Sequence, residues 1–70
     1  MEKITSNVGI LNGKPIIKGT RISVELILEF LASGMKIEEI LKEYSHLKKE
    51  DILSVLEFAA KSLKHEEFIK

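Results

Sequence analysis

The stretch VELILEFLAS, residues 24 to 33, leaves the chain few ways to fold. Its only polar side chains, Glu25, Glu29 and Ser33, recur at every fourth position. On a helix of about 3.6 residues per turn they gather into one narrow stripe, and the rest of the circumference is apolar. Such a helix has to be wrapped. A chain of 70 residues makes one domain at most, and a domain this small buries only about 60% of the surface its unfolded form exposes. The wrapping is therefore expected from the chain's own N-terminal leader or from a second copy across a twofold axis, and a homodimer is the favoured arrangement.

The flanking residues punctuate this helix. Ser23 stands where an N-cap belongs, and Gly34 stands where a left-handed residue closes a helix at least cost. A second helix is predicted from Ile37 to Tyr44, with Ile37, Ile40, Leu41 and Tyr44 on one face and Glu38, Glu39, Lys42 and Glu43 outside. A third starts near Lys48 or Lys49, with Glu50 and Asp51 in its first turn. Ile52, Leu56, Ala59 and Leu63 are expected to mark its inner face. Ahead of the helices, Val8 to Leu11 is a short apolar run, Asn12-Gly13 is a turn signal and Pro15-Ile16-Ile17 resumes with β-branched residues. This reads as a small hairpin or a pair of extended segments, broken at Gly19-Thr20. The expected architecture is mainly α: a short N-terminal β arm over residues 1–22, a three-helix, helix-turn-helix-like unit over 23–64 and a fraying tail over 65–70, all one domain.

Eleven basic and eleven acidic residues cancel, which argues against gripping nucleic acid by bulk charge. Their distribution is uneven. Residues 1 to 24 carry Lys3, Lys14, Lys18 and Arg21 against Glu2 alone, whereas residues 25 to 60 carry eight acids against four lysines. Lys14, Lys18 and Arg21 are either solvated charges that keep an edge strand soluble or contacts for phosphate or an acidic partner. Arg21, with its planar fork, is best suited to bind an oxyanion. In a helix-turn-helix, Lys48 and Lys49 would open the recognition helix, so the candidate DNA-binding set is Lys14, Lys18, Arg21, Lys48 and Lys49. Glu38, Glu39, Glu43, Glu50 and Asp51 crowd the same surface and weaken that reading.

No enzyme chemistry is expected. The chain has no cysteine, which removes disulfides and thiolate zinc sites and fits a reducing, cytoplasmic setting. His46 and His65 lie nineteen residues apart without a metal-binding motif. Gly13 to Gly19 has one residue too many for a phosphate loop, and no nucleophile elbow is present. Catalytic, cofactor-binding and metal-ligating residues are thus all expected to be absent. No apolar run approaches the roughly 18 residues of a membrane span, and the N-terminus lacks the apolar core of a secretion signal. Phe58 falls off the predicted inner stripe and is a candidate for contact with another molecule. Leu63, Phe68 and Ile69, set in a charged tail, are candidates for an amphipathic segment that orders on a partner.

The run G-K-P-I-I-K-G-T-R-I-S-V-E-L-I-L-E-F-L-A-S-G-M, followed by I-E-E-I-L-K-E-Y and H-L-K-K-E-D-I-L, closely resembles the domain-of-unknown-function-433 family of small prokaryotic proteins. The resemblance covers about residues 4 to 60. It implies a homeodomain-like three-helix unit behind an extended segment, often dimeric, and a role as antitoxin beside a PIN-like ribonuclease toxin. Operator DNA is a further candidate partner for such a role. The family pattern often has proline where this chain has Ser45, and a serine or threonine cap where it has Lys36 and Lys48. In that reading Arg21 would enter the carboxylate-lined metal site of the toxin, or alternatively Leu63, Phe68 and Ile69 would order on the toxin, with Phe58 also in the candidate partner-binding set. Two rivals stand beside it: a DNA-binding regulator without a toxin, and a dimerisation or interaction module.

Overall fold

The computed structural model describes residues 3–63. Its elements follow in the order β1 (Ile4–Thr5), a single left-handed turn at Leu11–Gly13, β2 (Ile16–Ile17), α1 (Val24–Ala32), α2 (Ile37–Glu43) and α3 (Lys49–Ser62). It is a mainly helical fold with a short two-stranded antiparallel hairpin in front, as the pattern predicts. No helix among the described residues is long and apolar enough to cross a membrane.

Both ends of α1 form as the sequence indicates. The Ser23 hydroxyl oxygen accepts the Leu26 N–H at 2.9 Å, satisfying one donor that the first turn leaves unpaired. At the other end Met35 N–H reaches the Phe30 carbonyl and Gly34 N–H the Leu31 carbonyl, each at 3.0 Å. This double closure needs a left-handed residue at Gly34, which has φ +100°. The lysines that replace hydroxyl caps on α2 and α3 are compensated from inside each helix. Glu39 Oε1 accepts the Lys36 N–H at 2.7 Å, and Asp51 Oδ2 accepts the Lys48 N–H at 2.9 Å. Each is half of a capping box. A lysine ammonium has no acceptor with which to return the bond. Lys48→Ser supplies that acceptor and is expected to raise unfolding free energy by about 1 kcal/mol in urea denaturation; no change would mean that the backbone already satisfies this turn.

The arm pairs differently from the expected hairpin. Ile4 lies opposite Ile17 and Thr5 opposite Ile16, so the partner of β2 is the start of the chain and not the run Val8 to Leu11. Within that run the Asn7 side-chain oxygen accepts the Gly9 N–H at 2.8 Å and Ile10 N–H bonds the Asn7 carbonyl at 2.8 Å. This Asx turn diverts the backbone from a ladder, and Val8 points outward at 87% exposure. The Asn12-Gly13 signal does mark a turn: Leu11, Asn12 and Gly13 all have positive φ.

Ile27, Ile40, Ile52 and Val55 are wholly buried, so all three helices meet at one centre. The arm belongs to the same core through Ile4, Ile17 and Ile22, and the connector between α2 and α3 adds Leu47. Two expectations shift here. The inner face of α3 is Ile52 and Val55, with Ala59 half-buried, whereas Leu56 and Leu63 are 39% and 60% exposed. The circumference of α1 is largely covered within one copy: Val24 and Ile27 are buried, Leu26, Leu28, Phe30 and Leu31 are half-buried against the core, and only Glu25, Glu29 and Ala32 are exposed. Bare apolar surface lies on α3 instead.

Candidate functional site

The segment that carries Lys18 and Arg21 is a tight loop held at both ends. Ile17 N–H donates to the Ile22 carbonyl at 2.9 Å, and Thr20 N–H returns to the Ile17 carbonyl at 3.0 Å. The Thr20 hydroxyl donates to the Ile17 carbonyl at 2.7 Å and accepts the Ile22 N–H at 2.9 Å, which locks the loop from its middle. Gly19 takes φ +82° with open space around its Cα, so the glycine is there for backbone conformation and not for close approach. A bridge between Ile16 and Ser23 and a bond from Val24 N–H to the Pro15 carbonyl at 3.0 Å seat the loop directly before α1. Ile22 enters the core and Arg21, next to it, projects outward.

The arm's four basic residues separate into two pairs. Lys3 pairs with Asp51 at 3.5 Å, and Lys14 with Glu25 at 3.1 Å. Lys18 and Arg21 make no ion pair among the described residues. Both line an open cleft of about 730 Å³ between the arm and the α2–α3 connector. His46 and Tyr44 line it from the connector and the end of α2, Ile10, Ile16 and Ile22 are its apolar lining residues, and no carboxylate is among the described lining residues. Tyr44 stacks on Phe30 with centroids 6.1 Å apart, and His46 meets Tyr44 edge-on at 6.5 Å. The structure thus brings Lys18 and Arg21 together and leaves Lys14 on a helix carboxylate. It also adds Tyr44, which helical spacing places on the inner face of α2, and His46, which the sequence marks only by its lack of a metal-binding motif. No periodic signal links residues 18–21 to 44–46; only the folded arm does.

Lys48 and Lys49 are exposed at the start of α3, in the position a helix-turn-helix requires. The outward face that follows them is largely apolar. Leu53 and Leu56 are 47% and 39% exposed, and Glu50, Glu57 and Ala60 share that side of the helix. Leu53, Leu56, Ala60 and Leu63 recur at spacings of three, four and three, so they form one continuous apolar stripe. Phe58 is half-buried against the protein's own core. Together with Leu28 and Leu63 it lines an apolar groove of about 260 Å³ between α1 and the end of α3. Phe68 and Ile69 lie outside the described residues.

A family model described as "Protein of unknown function (DUF433)" matches residues 4–59. No curated protein and no solved structure matches the chain.

Proposed function

The chain belongs to the family of unknown function matched over residues 4–59, and on that premise we propose a non-enzymatic, antitoxin-type binding protein that neutralises a PIN-like ribonuclease toxin by protein–protein contact. The observation that carries this reading is the outward face of α3. Beyond Lys49, where a recognition helix would continue with polar donors to DNA, this one presents Leu53, Leu56 and Leu63 beside Glu50 and Glu57. The Glu50 carboxylate repels phosphates, Glu57 is already paired with Lys61 at 3.7 Å, and leucines gain nothing from a wet groove edge. Against a protein the balance reverses, because covering a leucine is worth about 1.5–3 kcal/mol, and contiguous exposed apolar surface on a small domain is characteristic of protein interfaces. The groove lined by Leu28, Phe58 and Leu63 extends that surface. Operator binding, which would use Lys48 and Lys49, receives less support from this face. A cytoplasmic setting goes with the proposal.

The test is co-expression with the product of the adjacent gene, followed by co-purification and a ribonuclease assay. Wild type is expected to co-purify and suppress nuclease activity. Leu53→Glu combined with Leu56→Glu is expected to weaken the complex by at least about tenfold, while circular dichroism of the free protein stays unchanged because both sites are exposed. A double variant that neutralises as well as wild type removes the reading.

One observation favours a second reading, the dimerisation module. The stripe is self-complementary when run antiparallel: Leu53 would face Leu63 of a twin, and Leu56 would face Ala60, a large residue against a small one. Sedimentation equilibrium separates the two readings. A dimer that Leu53→Glu and Leu56→Glu dissociate assigns the stripe to self-association, and a monomer leaves it to the toxin.

A further inference from the structure

We infer that the cleft between the arm and the α2–α3 connector binds a nucleoside phosphate, a ligand and site separate from the α3 face. Three features of the cleft point the same way. Its charge is one-sided: Lys18 and Arg21 line it and no described carboxylate does, in a chain whose formal charge is zero. Its cations are uncommitted: the neighbouring Lys3 and Lys14 sit on Asp51 and Glu25, whereas Lys18 and Arg21 have no ion-pair partner among the described residues. Its arginine stands on a fixed backbone: the chain on either side of Arg21 is pinned by the Thr20 hydroxyl, which holds both the Ile17 carbonyl and the Ile22 N–H. A planar fork on a fixed backbone binds a phosphate through two parallel hydrogen bonds with less ordering cost than a lysine on a free loop.

The size and the wall define the rest of the ligand. A volume of about 730 Å³ falls in the range of small-molecule sites and far exceeds a bare phosphate. Ile10 and Tyr44, both half-buried, add apolar and aromatic surface to the same lining. A ligand that satisfies both kinds of lining carries an oxyanion together with a flat, largely apolar body. A nucleoside phosphate has that shape, either free or as the terminal unit of a nucleic-acid strand.

Nuclear magnetic resonance titration tests this with four probes: inorganic phosphate, adenosine, adenosine monophosphate and a short oligonucleotide bearing a 5′-phosphate. The monophosphate is expected to shift the amides of Lys18, Arg21 and His46 together and to saturate in the roughly millimolar range, with inorganic phosphate and adenosine each at least about tenfold weaker. Arg21→Ala and Lys18→Ala are each expected to weaken the monophosphate by about tenfold. Lys14→Ala, which lies on Glu25 outside the cleft, leaves it unchanged. A strand that binds tighter than the monophosphate assigns the source to nucleic acid, and equal affinity assigns it to free nucleotide; both outcomes support the site. The inference fails if neither nucleotide probe shifts these amides, if inorganic phosphate binds as well as the monophosphate, or if Arg21→Ala and Lys18→Ala bind as wild type does. Because Leu53 and Leu56 do not line the cleft, failure of the toxin complex leaves this result standing, and the reverse holds as well.

Discussion

Ile27→Ala is expected to lower the melting temperature by roughly 10 °C or more and to leave a large unfolded fraction at physiological temperature. Ile27 sits at the middle of α1 with no exposed surface, at the point where all three helices meet. Truncating a buried isoleucine to alanine costs about 2–5 kcal/mol, because the lost transfer free energy is joined by the cavity left behind. Stability for a chain of this length is on the order of 4–10 kcal/mol, so one side chain removes a large share of it. In a domain of 60 to 100 residues each kcal/mol shifts the midpoint by about 4–8 °C. Leu53→Ala is the matched comparison, since that side chain is half-exposed and its loss is expected to cost under about 1 kcal/mol. Thermal and urea unfolding followed by circular dichroism would decide the point. If the two variants melted together, the packing centre would not lie at Ile27.

Why the sequence is readable at Ile27 and less so elsewhere follows from the range of the interactions involved. Ser23 and Gly34 act within one helical turn, so the limits of α1 could be taken from neighbouring residues alone. The arm's pairing could not, because a local Asx turn at Asn7 competes with the ladder for the same backbone groups, and Ile4 wins as partner of Ile17 across a long loop. The inner face of α3 shows the same limit. From Ile52, both Val55 and Leu56 lie at helical spacing, and only the placement of α1 decides which turns inward. Apolar surface expected on α1 is therefore found on α3, and it changes the interface to be proposed. The cleft was the least legible feature. Its lining comes from three separated segments, and the difference between Lys14 and Lys18 depends on Glu25 lying within reach of one and not the other.

Asp51→Ala is expected to cost about 2–3 kcal/mol, far more than an ordinary surface carboxylate, because one side chain performs three functions. Its Oδ2 accepts the Lys48 N–H at 2.9 Å and so stands in for the missing hydroxyl cap on α3. A bond to a charged acceptor is worth about 1.5–3 kcal/mol. Its charge also lies in the first helical turn, where it interacts favourably with the helix dipole by about 0.3–1 kcal/mol. The third function is the 3.5 Å pair with Lys3, which ties the arm to α3. That pair contributes least, at most about 1 kcal/mol, because the Lys3 side chain is about half exposed. Since all three share one carboxylate, their values do not simply add. Asp51→Asn keeps an acceptor oxygen and loses the charge, so it is expected to recover roughly half of the loss. Lys3→Ala alone should cost under about 1 kcal/mol, and a double-mutant cycle with Asp51→Ala should give a coupling of similar size. The Lys18 amide, which bonds the Lys3 carbonyl at 2.7 Å, reports on the arm separately by hydrogen exchange. Faster exchange there in both Lys3→Ala and Asp51→Ala would identify the ion pair as the arm's tether. If instead Asp51→Ala unfolded within about 0.5 kcal/mol of wild type, α3 would start without help from this carboxylate, and the compensation inferred for the lysine caps would fall with it.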